Sequence, residues 1–163
     1  MPVDPNSAAE IFDRVSIPIA YKMGYLTNNY REPSFRAIEA QHGITRPEIL
    51  VLIFLAACDG SSASEICEFS GHLKTNISRA VIALHRKRLI RRMPAKEDQR
   101  RQLLYMTAQG RELHRQFMPL LDQRERAMMQ PLSPAERTRF EELLGKLCGY
   151  VPEWRSDTIA PRA

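Results

Sequence analysis

Cysteine is scarce in this sequence, with three in 163 residues, at positions 58, 67 and 148. No two of them form a Cys-x-x-Cys pair and no histidine lies at ligand spacing, which speaks against a structural zinc site. An odd, sparse set reads as reduced thiols in a cytosol. Cys67, among apolar helix positions, reads as a small core residue; Cys148, near the C-terminal end, is the better candidate for chemistry. Long apolar runs are lacking too. Nothing approaches the roughly 18 apolar residues needed to cross a bilayer, and the opening MPVDPNSAAE has no signal-peptide character. A cytoplasmic protein that makes no use of a membrane is expected. Also missing are a Gly-rich phosphate loop, a nucleophile elbow and a His-Glu-x-x-His run, and His42, His72, His85 and His114 are scattered. With no catalytic constellation, the expectation is a protein that is not an enzyme and holds no cofactor or metal.

What the sequence does have is charge of one sign in one place. From Lys74 to Arg101 there are ten Lys or Arg residues against two acids, Glu97 and Asp98, so this stretch carries +8 while the whole chain carries +5. The other 135 residues therefore sum to −3. A local basic field beside a short amphipathic helix is the electrostatic footprint of a nucleic-acid reader. Hydrophobic residues at 44% and charged residues at 26% are ordinary for one globular domain of this length.

Helix starts are legible as capping boxes, a hydroxyl residue followed three positions later by glutamate. Thr45-Arg46-Pro47-Glu48 shows the pattern, and Ser62 with Glu65 and Ser133 with Glu136 repeat it. Ser16 before Ile17-Pro18 suits the first turn of another helix, and Thr107 opens one more. After a flexible N-terminus to about residue 10, the pattern predicts a helix over 17–30, interrupted near Pro33 and resumed over 34–41 to end at Gly43. Helix 46–57 is apolar nearly all round and should be buried centrally. Short helices over 63–70 and 74–87 flank Gly71-His72-Leu73. Residues 89–92 and 102–106 read as two strands around a polar tip, followed by helices over 108–130 and 134–148. The fold class is mainly α: a winged helix-turn-helix with a two-stranded wing, flanked by N- and C-terminal helices.

On a helical wheel at about 100° per residue, Ile77, Ala80, Val81 and Leu84 fall on one side, towards the core. Thr75, Ser78, Arg79, Ile82 and Arg86 fall on the other, with Lys74 and Asn76 at the start and flank. Short hydrogen-bonding groups near the N-terminus and cations towards the end suit a helix in the DNA major groove. A solvated face explains most runs of charge; the turn, the helix before it and the basic hairpin after it favour DNA here. At the hairpin tip Asp98 and Arg100 lie two apart, beside Arg101 and near Lys96. A carboxylate so close to a guanidinium can fix its direction, and such an arginine could read the width of a minor groove.

The run SASEICEFSGHLKTNISRAVIALHRKRLIRR resembles the helix-turn-helix of the MarR family of transcriptional regulators, and EDQRRQLLYMTAQGRELH resembles its wing signature. Asp98, Arg100, Thr107 and Gly110 take the signature positions. GITRPEILVLIFL and LSPAERTRFEELLGKL are similar to the flanking helices, so the resemblance spans nearly the whole chain. It implies one domain, with an N-terminal dimerisation region over 11–43, the winged helix-turn-helix over 45–107, C-terminal dimerisation helices over 108–150 and a tail over 151–163. One departure stands out: the family commonly has glycine after the recognition helix, where this chain has Arg88.

The resemblance further implies a bacterial, cytoplasmic homodimer, nucleoid-associated when bound to double-stranded DNA at a pseudo-palindromic operator. Leu113, Phe117, Leu120 and Leu121 on one helix, and Phe140, Leu143, Leu144 and Leu147 on the last, are the stripes available for pairing. A twofold dimer reads half-sites about 10 bp apart, within roughly 16–20 bp. The family is commonly released from DNA by a small aromatic or phenolic acid; Arg14, Tyr21, Lys22 and Tyr25 could offer aromatic walls and a carboxylate partner. Two alternatives stand beside this repressor. One is thiol control, although relatives that use it carry a reactive cysteine in the first helix and this chain has none before Cys58. The other is a winged module for protein–protein assembly, its basic face meeting an acidic partner.

Overall fold

A computed structural model describes residues 11–156 of the chain; the expected N-terminal stretch to residue 10 and residues 157–163 of the expected tail lie outside the described residues. Its helices begin where the caps direct. At Ser62 and Ser133 the main-chain N–H donates to the glutamate three residues on, at 2.7 and 2.8 Å. The glutamate N–H donates back to the serine hydroxyl, at 3.3 and 3.4 Å. Each exchange satisfies two amides that the first turn leaves without partners. Thr45 N–H likewise donates to Glu48 Oε2 at 2.6 Å.

The elements run α1 (Pro18–His42), α2 (Arg46–Ala57), β1 (Ser61–Ser62), α3 (Ala63–Ser70), α4 (Lys74–Arg86), β2 (Ile90–Pro94), β3 (Gln102–Met106), α5 (Ala108–Met129), α6 (Pro134–Gly149) and α7 (Val151–Ser156). Residues 11–14 are also helical. The chain divides into two compact units, Met1–Arg124 and Glu125–Ala163.

One expectation is corrected in α1, which runs unbroken through Pro33. A proline inside a helix leaves the carbonyl four residues earlier without its amide, and here that carbonyl belongs to Asn29. The Arg124 guanidinium of α5 donates to it at 3.4 Å. Ion pairs hold the same turn: the Glu32 carboxylate takes Arg36 Nε at 2.7 Å and Arg46 Nη1 at 2.5 Å. The helix ends at Gly43, whose left-handed φ of 63° sends the chain into α2.

Within the first unit, α2 is the central helix. Its Ile49, Val51, Leu52 and Leu55 are buried against Phe35 and Ile38 of α1, Ile66 of α3, the inner stripe of α4 and Leu104 of the sheet. Phe117 and Leu121 of α5 belong to this core, with Leu113 and Leu120 packed on its edge. Of that stripe, expected as a pairing surface, Phe117 and Leu121 are interior packing of the unit, while Leu113 and Leu120 are half-buried. The sheet has the order β1-β3-β2, antiparallel throughout, with Ile90 opposite Met106 and Pro94 opposite Gln102. The wing is the expected two-stranded hairpin, and the two-residue β1 adds a third strand at its base.

Gly110 sits where α5 leaves the wing, and a Cβ there would collide with the Leu89 carbonyl oxygen. Thr107 secures the same junction. Its N–H donates to Leu89 O at 3.0 Å, its hydroxyl donates to Arg88 O at 2.8 Å, and that hydroxyl accepts the Gly110 N–H at 3.0 Å.

In the second unit, α6 begins at its Ser133 cap and buries none of its residues. Phe140, Leu143, Leu144 and Leu147 are exposed, as are Tyr150 and Trp154 beyond them. Residues 151–156, expected as tail, form the short helix α7. Among the described residues no helix is long and apolar enough to cross a membrane.

Candidate nucleic-acid interface

Helix α4 divides as the wheel requires. Ile77 and Leu84 are fully buried and Ala80 and Val81 nearly so, while Lys74, Thr75, Asn76, Ser78, Arg79, Ile82 and Arg86 are exposed. Helix α3 precedes it and ends at Gly71, whose φ of 66° provides the turn that a residue with a side chain adopts only under strain. The result is a short helix, a tight turn and a second helix that shows solvent a polar, cationic face.

The far end of α4 is anchored by charge. Lys87 Nζ donates to Glu48 at 2.8 and 3.0 Å and to Gly43 O at 2.9 Å. Glu48 is 1% exposed, and no buried side-chain polar atom among the described residues is left without a partner. Each charge also lies at the helix end that favours it, the carboxylate in the first turn of α2 and the ammonium at the end of α4. Arg88 follows with φ 61°. The left-handed turn is thus kept without glycine.

At the wing tip, the Arg100 main-chain N–H donates to Asp98 Oδ1 at 2.9 Å, and the Arg101 N–H donates to Asp98 O at 2.9 Å. Asp98 therefore shapes the backbone of the turn; the bond joining it to Arg100 runs to the amide rather than the guanidinium. Arg101 Nη2 pairs instead with Glu65 Oε1 at 2.7 Å, which ties the tip to the first turn of α3. The Ser62 amide and hydroxyl, with Arg101 beside them, hold the Glu65 carboxyl down at about 2. On the strands, the Arg91 guanidinium lies 5.2 Å from the Tyr105 ring centre, and Arg92 is exposed. Sequence reasoning missed Glu48, Glu65 and Lys87 as the groups that hold the end of α4 and the wing tip. A glutamate in the otherwise apolar α2 was the available signal, since a buried carboxylate needs a cation.

The residues considered for a ligand gather elsewhere. Tyr21 and Tyr25 stand edge-on to Phe12, with ring centres 6.0 and 5.3 Å away, and Lys22 Nζ lies 5.7 Å from the same ring. Arg14 lies on the helical residues 11–14 and is exposed. A separate crevice of about 380 Å³ opens between His42, Gly43, Ile44, Lys87, Leu89, Gln109, Leu113 and Gln116, and none of those four residues lines it. Cys58 and Cys148 are exposed, while Cys67 is half-buried against the core. No group of three His, Cys, Asp or Glu side chains among the described residues is placed to hold a metal ion.

Together these elements define a winged helix-turn-helix protein with helices before and after the winged segment. In fold it is similar to the MarR-family regulators. The model of the MarR family matches residues 42–101, so the resemblance drawn from the sequence holds for the reading segment. Solved structures extend the match to the fold of nearly the whole chain. A MarR-family transcriptional regulator from Silicibacter pomeroyi is 23% identical, with 89% of this chain and 94% of that one covered at a TM-score of 0.74. A cysteine-to-serine variant of MarR from E. coli, complexed with operator DNA, is 19% identical over 80% of this chain and 94% of that one, at 0.68. The PcaV transcriptional regulator from Streptomyces coelicolor, in complex with its natural ligand, is 21% identical over 91% and 97%, at 0.65. No curated protein sequence matches the chain.

Proposed function

We propose that this protein is a sequence-specific, double-stranded DNA-binding regulator that acts as a homodimer and represses by occupying a pseudo-palindromic operator. The observation that carries the reading is α4, whose buried stripe seats it on the core while Lys74, Thr75, Asn76, Ser78, Arg79 and Arg86 stay exposed. In this role Thr75, Asn76 and Ser78 approach base edges, and Lys74, Arg79 and Arg86 bind phosphates or guanines. Asp98 shapes the wing so that Arg100 reaches the minor groove, with Arg101 beside it on the same backbone while paired with Glu65.

Dimer formation is supported by apolar surface that each unit leaves in water. Ile19, Tyr21, Met23, Tyr25 and Leu26 of α1 are exposed, as are Phe140, Leu143, Leu144 and Leu147 of α6. Such rows mark association surfaces on soluble proteins, and a twofold pairing would match two half-sites on the operator. Replacing Leu143 and Leu147 by glutamate should yield monomers in analytical ultracentrifugation; an unaltered dimer would assign the association to other residues.

Selection of sheared DNA from the source organism, at roughly physiological salt where nonspecific contacts weaken, tests the central claim. Recovery of one short inverted repeat supports a dimeric regulator. Uniform recovery of all fragments removes the claim and favours an assembly module. The crevice between α1, the end of α4 and α5 supports a second element of the reading, release by a small aromatic carboxylate. Gln109 and Gln116 offer such a ligand polar side chains, and Ile44, Leu89 and Leu113 offer apolar walls. A ligand acts only through unequal affinity for the bound and free forms, so loss of operator binding with salicylate-like acids, and persistence of binding in their presence for a Gln109→Ala variant, would be the signature.

A further inference from the structure

The middle of the exposed face of α4 is occupied by an apolar side chain. Ile82 is 55% exposed. It follows Ser78 and Arg79 by one turn and precedes Arg86 by another, on the side opposite Ile77, Ala80, Val81 and Leu84. Isoleucine gains the fold nothing there: it is a poorer helix former than the straight-chain residues, and its side chain remains in water. It cannot donate or accept a hydrogen bond, and it cannot bind phosphate. Yet Lys74 and Arg79 lie before it and Arg86 after it, so a cationic frame surrounds an apolar centre.

A surface complementary to that arrangement has anionic rims and an apolar group between them. The DNA major groove has both, and the apolar group among its base edges is the C5 methyl of thymine. We propose that Ile82 reads a thymine methyl in each half-site and is a specificity-determining residue of α4. The inference rests on the DNA-binding reading above and adds a base to it. It differs from the hydrogen-bonded readout by Thr75, Asn76 and Ser78, because an amide or hydroxyl cannot substitute for shape-matched apolar contact.

The test uses the full-length protein and the duplex recovered by selection. Each thymine is replaced in turn by deoxyuridine, which removes one methyl and leaves every hydrogen-bonding group in place. One position in each half-site should weaken binding about fourfold, and both together roughly fifteenfold, as expected for losing one buried methyl per site. Ile82→Ala should bind the unmodified duplex more weakly and be indifferent to deoxyuridine at those positions, whereas Ile82→Val should retain part of the sensitivity. Because Ile82 is more than half exposed and alanine is the better helix former, the unfolding midpoint of neither variant should fall appreciably below that of the parent. Selective binding that ignores every thymine methyl, or an Ile82→Ala variant as sensitive as the parent, overturns the assignment of Ile82 alone. Absence of any sequence-selective binding overturns the DNA reading and this assignment with it.

Discussion

Replacing Lys87 by methionine is the sharpest probe of how the end of α4 is held. Methionine keeps most of the aliphatic stem and removes the ammonium that bridges Glu48 and Gly43 O. Stranding a fully buried carboxylate costs about 3–5 kcal/mol. Two features reduce that figure here: the Lys87 side chain is 34% exposed, so water already screens the pair, and Glu48 keeps the Thr45 N–H. A loss of about 2–3 kcal/mol is expected, which moves a urea midpoint by roughly 1 M at ordinary slopes. The double variant Lys87→Met with Glu48→Leu should recover much of the loss, with a coupling of about 2 kcal/mol between the two sites. The coupling should persist in high salt, where pairs between fully exposed charges fade. Circular dichroism on the four proteins of the cycle gives the answer. A single variant within about 0.5 kcal/mol of the parent, or strictly additive losses, would refute the view that this pair fixes the end of α4.

Further perturbations follow from the same geometry. Arg88→Gly relieves a left-handed residue at φ 61°, which costs a side chain about 1–2 kcal/mol, and gives back part of that as chain entropy. The variant should be more stable by about 0.5–1 kcal/mol, read as a higher thermal midpoint, and a lower midpoint would contradict the strain. Glu65→Gln removes a carboxylate whose folded value is about 2 against an ordinary 4.5. A depressed acid stabilises fully above its unfolded value and loses that contribution as pH falls towards its folded one. The variant should therefore be less stable by about 1 kcal/mol at neutral pH. That gap should close as the pH drops through the window between the two values, and a gap constant through it would count against the Glu65 interactions. Finally, Thr75→Ala and Asn76→Ala should relax base preference with little change in salt dependence, while Arg86→Ala should lower the salt slope by about one. Arg100→Ala should flatten any preference for A·T-rich flanks. Identical behaviour of all four would erase the division between readers and anchors.

Much of this arrangement was legible because it is local. A serine or threonine three residues before glutamate starts a helix through bonds inside one turn, and the 3.6-residue period fixed which side of α4 faces the core. The wing hairpin and the turn at Gly71 are local as well. Interactions made at a distance left weaker traces. Lys87 and Glu48 are 39 residues apart and Arg101 and Glu65 are 36, so no window along the chain links them. The stripe from Leu113 to Leu121 has the same periodicity whether it packs inwards or against a partner, and only the assembled core shows Phe117 and Leu121 buried. Strand β1 is two serines that the sequence presents only as a cap. Pro33 misled for a related reason, since the partner that relieves its effect is Arg124, far along the chain.

That proline has a dynamic consequence. The hydrogen-bond ladder of α1 lacks one rung, and the core holds the two sides unequally: Ser34, Phe35 and Ile38 are buried after it, while residues 17–29 before it are exposed. Local opening follows local burial rather than helix length. Amide exchange should therefore be slow from residue 35 onwards and fast through the leading turns in a lone chain. The leading turns would gain protection when another surface covers them. A single continuous helix can in this way belong to two cooperative units, one that folds with the core and one whose protection waits on whatever surface covers it.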